Sequence, residues 1–397
     1  MSKQTHHAAV HELLTRGNPE IIIARDLERK LLSGAKLRVK HGVDPTTKDL
    51  HLGYAVVYEK LRQFQELGHT VVFLIGGFTG RFGDPKEQAG ARTLRGKAEV
   101  KALAKNYLKQ LGKILDIKKV EVHDNSEWYD KMSFEDGLRL MSRSSVFRML
   151  ERDLFQARKM KGQEVAMHEL VYPLLQGWDS VMLKSDVTVI GSDQTFNELQ
   201  ARWLQEQEKQ RPQDLMVMPL LTGTDGKAKM SQSLGNSINF SDTPGDMFGK
   251  IMSLGDHQII PYFTFVTRVP LEEIEDIEAT FISGGAAYRN AKARLAGEIV
   301  TIYHGKAAAG KADAAFRHQF KEGALPAQIP TVAVKAKSLP LVDLLVETKL
   351  AASKSEAKRL IAQGGVRIDQ KIATDGVITV RSGMIVQVGK RRFIRLK

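Results

Sequence analysis

The chain is 397 residues long, 42% apolar and 26% charged, with no cysteine and a formal net charge of +13. That length holds two or three domains with ample core, no apolar run nears the ~18 residues of a membrane span, and without cysteine there is no disulfide, thiolate ligand or cysteine nucleophile. No apolar signal core follows the first residues, so a soluble cytoplasmic protein is expected.

The excess charge is concentrated at one end. Residues 335–397 carry 14 Lys and Arg against 5 Asp and Glu. Such asymmetry points to a polyanionic partner, nucleic acid first and a membrane surface second, with a merely solubilising surface as the plainer alternative.

In chain order, residues 37–43 alternate like a strand, and residues 54–67 place Tyr54, Val57, Tyr58, Leu61, Phe64 and Leu67 on one helical face stopped by Gly68. The continuous apolar run 71–75 reads as a strand covered on both faces, completing a βαβ unit. A helix over 97–115 and a strand at 120–122 follow. A second unit comprises a strand at 187–190, a helix over 194–207 and a strand at 215–218. Two such halves predict an α/β, Rossmann-like doubly wound parallel sheet over residues 1–235, with an insertion at about 124–185. Residues 236–322 read as a helical domain and 323–336 as a Pro- and Ala-rich linker. Residues 337–397 read as a small α+β module with a basic helix opened by the capping box at Ser353 and Glu356.

Ligands of doubly wound sheets bind beyond the carboxyl ends of the strands. Three loops there carry chemistry. Asp44, Thr46, His51 and Gly53 precede a helix N-terminus, which favours phosphate, although a capped helix with a satisfied histidine explains them too. The glycine-rich loop 76–83 ends in Asp84, which suits an amine or a plain turn. Gly191, Ser192, Asp193 and Gln194 follow the fourth predicted strand and suit a sugar hydroxyl, an amino acid or a helix cap. Tyr172, Gln176 and Asp179 fall on one helical face, either as a small polar pocket or as a solvated stripe. Residues 226–233 form a lysine-bearing loop suited to a departing polyphosphate. No GxGxxG follows the first strand, the fragments at Gly96-Lys97 and Gly226-Lys227 lack the rest of a phosphate-loop signature, and the 11 histidines show no HExxH spacing.

Taken together, HLG near 51, GDP near 84, YxxxQxxD at 172–179, GSDQ at 191–194 and KMSQS at 229–233 resemble the class I tyrosyl-tRNA synthetases of bacteria. The tail separately resembles the RNA-binding domain named after small-subunit ribosomal protein S-four. The resemblance implies a tyrosine–tRNA ligase, with ATP, L-tyrosine and tRNA(Tyr) as partners, magnesium arriving with ATP, no protein-bound metal, and a homodimer built on the insertion. It implies that Thr46, His51 and Lys229 stabilise the reacting phosphates. Asp84, Tyr172 and Gln176 would bind the tyrosine ammonium, Asp179 the phenol hydroxyl, and Gln194 would lie near the tyrosine carboxylate. Asp44, His51, Gly53, Gly191, Asp193, Lys229, Met230, Ser231, Gln232 and Ser233 would meet ATP, and Lys354, Lys358, Arg359 and Arg367 the RNA. Four departures stand out: Tyr54 replaces a second histidine, Gln232 replaces the second lysine of KMSKS, and Lys40 stands where one branch of the family has a tyrosine on the substrate hydroxyl and a longer-type bacterial branch also has lysine. Gln88 and Ala89 replace loop lysines, with Lys86 and Arg92 nearby. Rival readings are another nucleotidyl transferase on this fold, or an RNA-binding protein with a decayed catalytic site.

Overall fold

A computed structural model describes residues 3–85, 95–321, 329–334, 336, 338–389 and 392–397. Lys86, Gln88, Ala89 and Arg92, and most of the stretch read as linker, lie outside the described residues. The chain divides into two units, Met1–Asp313 and Ala314–Lys397.

The first unit is built on a six-stranded sheet: β1 (Glu20–Ile22), β2 (Arg38–Val43), β3 (Thr70–Ile75), β4 (Val120–Asp124), β5 (Val187–Gly191) and β6 (Asp214–Met218), in the order β1-β6-β5-β2-β3-β4. β2 to β6 run parallel; β1 alone is antiparallel, pairing with β6. Strands β3 and β6 are buried almost throughout, as their unbroken apolar runs require. The strand order reverses between β2 and β5, so the loops after Val43 and Gly191 face each other across the switch point.

The expected helices after β2 and β5 are present as Leu52–Glu66 and Thr195–Gln207. Three elements at the start of the chain were not legible in the sequence: helices Lys3–Thr15 and Ala24–Leu32, and the three-residue strand β1 between them. A strand that short has no period to read. Lys30 anchors this segment, donating at 2.7 Å to Asp214 at the start of β6.

Between β4 and β5 the chain forms five helices, ending in the long Met167–Leu183. Beyond residue 235, where a boundary was expected, the first unit continues through the helices Pro244–Met252, Ile259–Val266, Leu271–Ala279 and Gly285–His304. The join is tight. Leu52 N–H donates to the Ile238 carbonyl and Phe240 N–H to that of Leu50, both at 2.9 Å. The Arg16 guanidinium reaches the carbonyls of Phe263, Thr264, Thr267 and Val269.

In the second unit, Val366–Ile368, Lys371–Ile372, Ile385–Val388 and Arg392–Leu396 form a sheet that Thr331–Val332 extends. Thr331–Val332 lies in the stretch read as linker; two residues gain strand pairing from Arg395 and Leu396, a contact invisible to local composition. Helix Leu341–Glu347 and helix Lys354–Ala362, capped by Ser353, pack on this sheet around Leu341, Leu344, Leu345, Ala357, Val366 and Val386.

Candidate active site

The loop after β2 sets the first wall. Asp44 accepts from the Thr79 hydroxyl at 2.7 Å and from the Tyr172 phenol at 2.8 Å. Gly76 is needed beside it, because a Cβ there would lie 1.9 Å from Asp44 Oδ1. Asp44, expected on the ATP side, is thus committed to orienting Tyr172. Burial first, and the nearby carboxylates of Asp44 and Asp84, hold the Tyr172 phenol far above its ordinary pKa, so it donates.

His51 caps the helix Leu52–Glu66: its Nδ1 accepts from Gly53 N–H at 3.2 Å. Both readings of His51 are therefore compatible. Burial lowers its pKa to about 4, so the ring is neutral, and with Nδ1 accepting, its proton sits on Nε2 as a donor. Gly53 is required there, since its Cβ would meet the ring at 2.9 Å. Tyr54, at the position of the missing histidine, lies against His51 with ring centroids 4.6 Å apart. The Thr46 carbonyl accepts from Arg95 at 2.8 Å, which ties the phosphate-side loop to the helix Lys97–Leu111.

The helix Met167–Leu183 supplies the second wall. Tyr172 and Asp179 are buried and Gln176 is half-buried, so this face is not a solvated stripe. Asp179 accepts from Trp128 Nε1 at 3.0 Å and from Asn125 Nδ2 at 3.2 Å, with the Tyr129 phenol beside it, and a carboxylate's four lone-pair sites leave capacity for another hydroxyl. Burial raises its pKa to about 7, against the field of Lys40 and the hydrogen bonds of Asn125, Tyr129 and Trp128.

At the other end, Asp84 is held by the Arg152 guanidinium at 3.2 Å and by Gln194 Nε2 at 3.2 Å. Asn197, fully buried, donates to Gln176 Oε1 at 2.8 Å and Gln194 Oε1 at 3.1 Å. Asp84, Gln176 and Gln194, drawn from three separate motifs, thereby become one hydrogen-bonded set. Carboxylates at Asp44, Asp84 and Asp179 gathered in this way suit a small cation-bearing ligand that also carries a hydroxyl.

The lysine-bearing loop closes over the switch point. Lys229 Nζ pairs with Asp193 at 3.2 Å, and Gln232 Nε2 donates to the Asp49 carbonyl at 2.7 Å. Met230 is buried, its N–H on the Leu221 carbonyl; the Ser231 and Ser233 hydroxyls are 2.9 Å apart. Gly191 sits beside Asp193, whose carboxylate a Cβ would approach to 3.1 Å. The motifs around 51, 193 and 229 are thus adjacent in space.

The family profile described as tRNA synthetases class I (W and Y) matches residues 32–321, and the S4 domain matches residues 339–386. The chain is 46% identical over 390 residues to the tyrosine–tRNA ligase of Moorella thermoacetica, covering 97% of this chain and 94% of that one. It is equally identical over 387 residues to that of Thermotoga maritima, covering 97% and 96%. The chain belongs to the tyrosine–tRNA ligase family. Its fold is also similar to a C-terminally truncated mitochondrial tyrosyl-tRNA synthetase of Aspergillus nidulans, with a TM-score of 0.66 and 22% identity over 80% of this chain and 99% of that one. The Archaeoglobus fulgidus tyrosyl-tRNA synthetase solved with L-tyrosine gives a TM-score of 0.62 at 20% identity over 77% of this chain and 99% of that one.

Within this tyrosine–tRNA ligase fold, several site residues stand outside the sequence motifs: Asn125, Trp128, Arg152, Asn197 and Glu198, while Thr79 lies inside the glycine-rich loop without being singled out. Asn197 and Glu198 lie three and four residues beyond the 191–194 run, and Asn125, Trp128 and Arg152 are near no motif. In the S4 unit, Lys354, Lys358, Arg359 and Arg367 are all exposed, and Lys354 is paired with Asp343 at 2.8 Å. Lys354 and Lys358 share one face of their helix. Among the described residues no helix is long and apolar enough to cross a membrane.

Proposed function

We propose that this chain activates L-tyrosine with ATP and transfers it to tRNA(Tyr), through the residue roles that follow. The observation that carries this reading is the joining of Asp84, Gln176 and Gln194 through Asn197 at one end of a pocket whose other end holds Asp179.

Tyrosine enters with its ammonium toward Asp84, Tyr172 and Gln176 and its phenol hydroxyl toward Asp179. Its carboxylate, near Gln194, faces the α-phosphate of ATP, which enters as its magnesium complex. A carboxylate oxygen forms the new bond to phosphorus while the bond to pyrophosphate breaks. The 3′-terminal ribose hydroxyl of the tRNA then attacks the tyrosyl carbonyl, releasing AMP. No enzyme nucleophile is needed, so the protein's contribution is orientation and charge stabilisation. His51 Nε2 and Thr46 donate to the phosphate oxygens, Gly53 lets the nucleotide lie against the backbone, and Asp193 takes the ribose. Lys229 then exchanges Asp193 for the departing pyrophosphate, whose greater charge competes for the ammonium.

The protein acts in the cytoplasm as a homodimer, with the S4 unit gripping tRNA through Lys354, Lys358, Arg359 and Arg367. Support for pairing comes from the helices between β4 and β5, where Phe134, Leu138, Val146, Phe147, Met160 and Met167 are exposed. Large apolar groups clustered in one segment mark an interaction surface.

ATP–pyrophosphate exchange with each of the twenty amino acids, followed by tRNA charging, tests the assignment. Tyrosine alone should support rapid exchange. Exchange with tryptophan or methionine and none with tyrosine refutes it.

A further inference from the structure

Lys40 lies in the middle of β2 and is 1% exposed. Its ammonium meets Ser180 Oγ at 2.6 Å and both oxygens of Glu198 at 3.0 Å. Glu198, also 1% exposed, accepts in addition from Gln176 Nε2 at 2.8 Å and from Gln213 Nε2 at 2.7 Å. One buried carboxylate thus gathers donors from β2, from the Tyr172 helix and from the residue that precedes β6. Removing two charges from water costs free energy that an apolar pair would not, and breaking such a pair leaves a buried charge uncompensated.

The pair sits directly behind the pocket. Ser180 follows Asp179 in the chain, and Asp179 lies within the field of Lys40. Two buried carboxylates therefore compete for one ammonium, and the geometry awards it to Glu198. Asp179 keeps the neutral donors Trp128, Asn125 and Tyr129, and a carboxylate's four lone-pair sites leave room for one more hydroxyl. The bond from Gln176 Nε2 to Glu198 also decides which end of that amide faces the other way: its oxygen, on Asn197 and beside the Asp84 cluster.

We propose that Lys40 and Glu198 are positioning residues for tyrosine, Glu198 by holding Lys40 off Asp179 and by turning the Gln176 oxygen toward the substrate ammonium. The proposal rests on the assignment of Asp179 and Gln176 to the tyrosine pocket. Neither residue touches the reacting atoms, so the effect falls on tyrosine binding and on selectivity. In Glu198→Gln the ammonium loses its counter-charge and turns to Asp179, and the amide of residue 198 sets a donor against that of Gln176.

The test is ATP–pyrophosphate exchange on the full chain, with tyrosine and phenylalanine, for Glu198→Gln, Glu198→Asp and the double variant Lys40→Met with Glu198→Gln. Glu198→Gln should raise KM for tyrosine about tenfold, leave kcat and KM for ATP within about twofold, and cut the tyrosine-over-phenylalanine ratio about tenfold. Glu198→Asp keeps the charge one methylene short; it should show the same pattern at about threefold, and it carries the test if the glutamine variant does not fold. The double variant should recover most of the lost selectivity, because no ammonium remains to capture Asp179. Unchanged tyrosine KM and selectivity in both single variants overturns the proposal. So does a loss spread equally over tyrosine KM, ATP KM and kcat, or a double variant no more selective than the single. Asp179→Asn, run in parallel, separates the layers: an unaltered tyrosine-over-phenylalanine ratio there would overturn the pocket assignment itself and the proposal with it.

Discussion

Gln232 Nε2 donates to the backbone carbonyl of Asp49 at 2.7 Å and to Asn239 Oδ1 at 3.2 Å. The residue that departs from the family's lysine therefore staples the lysine-bearing loop to the loop that carries His51. Lysine at 232 would keep a donor for that carbonyl and add charge where pyrophosphate leaves. A charge-assisted hydrogen bond exceeds a neutral one by roughly 1 kcal/mol. Gln232→Lys should therefore speed adenylate formation about fivefold in single-turnover kinetics. An unchanged or slower rate would show that Gln232 is no catalytic deficit.

Asp179→Asn should lower the tyrosine-over-phenylalanine ratio of kcat/KM at least tenfold, about 1.4 kcal/mol, by replacing a charged acceptor with a weaker one. Equal losses on both amino acids would mean that Asp179 does not read the hydroxyl.

His41, buried between Tyr58 and Phe73, donates from Nδ1 to the Val189 carbonyl at 2.8 Å, and its Nε2 has no hydrogen-bond partner among the described residues. Burial, partly offset by that hydrogen bond, lowers its pKa to about 4 from 6.5, with Lys40 lowering and Glu198 raising it. The unfolded chain then binds the proton first on acidification. Stability is complete above pH 6.5 and falls as pH drops toward 4. Between pH 7 and 5 this one group removes about 2 kcal/mol. Asp179, raised from 3.8 to about 7, acts in the opposite sense across the whole of that range and by a comparable amount. Urea unfolding of His41→Phe at both pH values isolates the histidine: on going from pH 7 to 5 the variant's stability, relative to the wild type's, should rise by about 2 kcal/mol. Identical pH slopes would place the His41 pKa near its ordinary value.

Phe147 and Phe134 are 85% and 79% exposed. If the chain pairs as proposed, Phe147→Asp should convert that dimer to a monomer in sedimentation velocity, since a buried charge at the apolar centre of an interface opposes association. A wild-type chain that sediments as a monomer would refute the proposed pairing.

Removing residues 335–397 takes away an excess of 9 positive charges and none of the pocket. Adenylate formation should survive while tRNA charging collapses, and the intact chain's RNA affinity should fall steeply with salt. Normal charging by the shortened chain would remove the tail from this reaction.

The sheet was legible because β3 and β6 are apolar runs, β2 alternates, and the helices between the strands are amphipathic, all of them local patterns. Tyr172, Gln176 and Asp179 were legible for the same reason: a seven-residue spacing on one helix fixes their common face. The strand β1 was not, since three residues owe their state to pairing with β6. Motif residues such as His51, Asp84 and Gln194 were found as types, without their partners.

Those partners are what tertiary structure alone decided. Arg152 reaches Asp84 across 68 residues, and Lys40 reaches Glu198 across 158. No periodicity or spacing announces such a pair, because each member is an ordinary charged residue in its own segment. Only the fold takes both out of water, and there a charge must find its counterpart or be neutralised. The sequence by itself thus determined the sheet, the motif residues and the basic tail. The closing of strand order between β2 and β5 decided which of those residues meet, and which buried charges hold them in place.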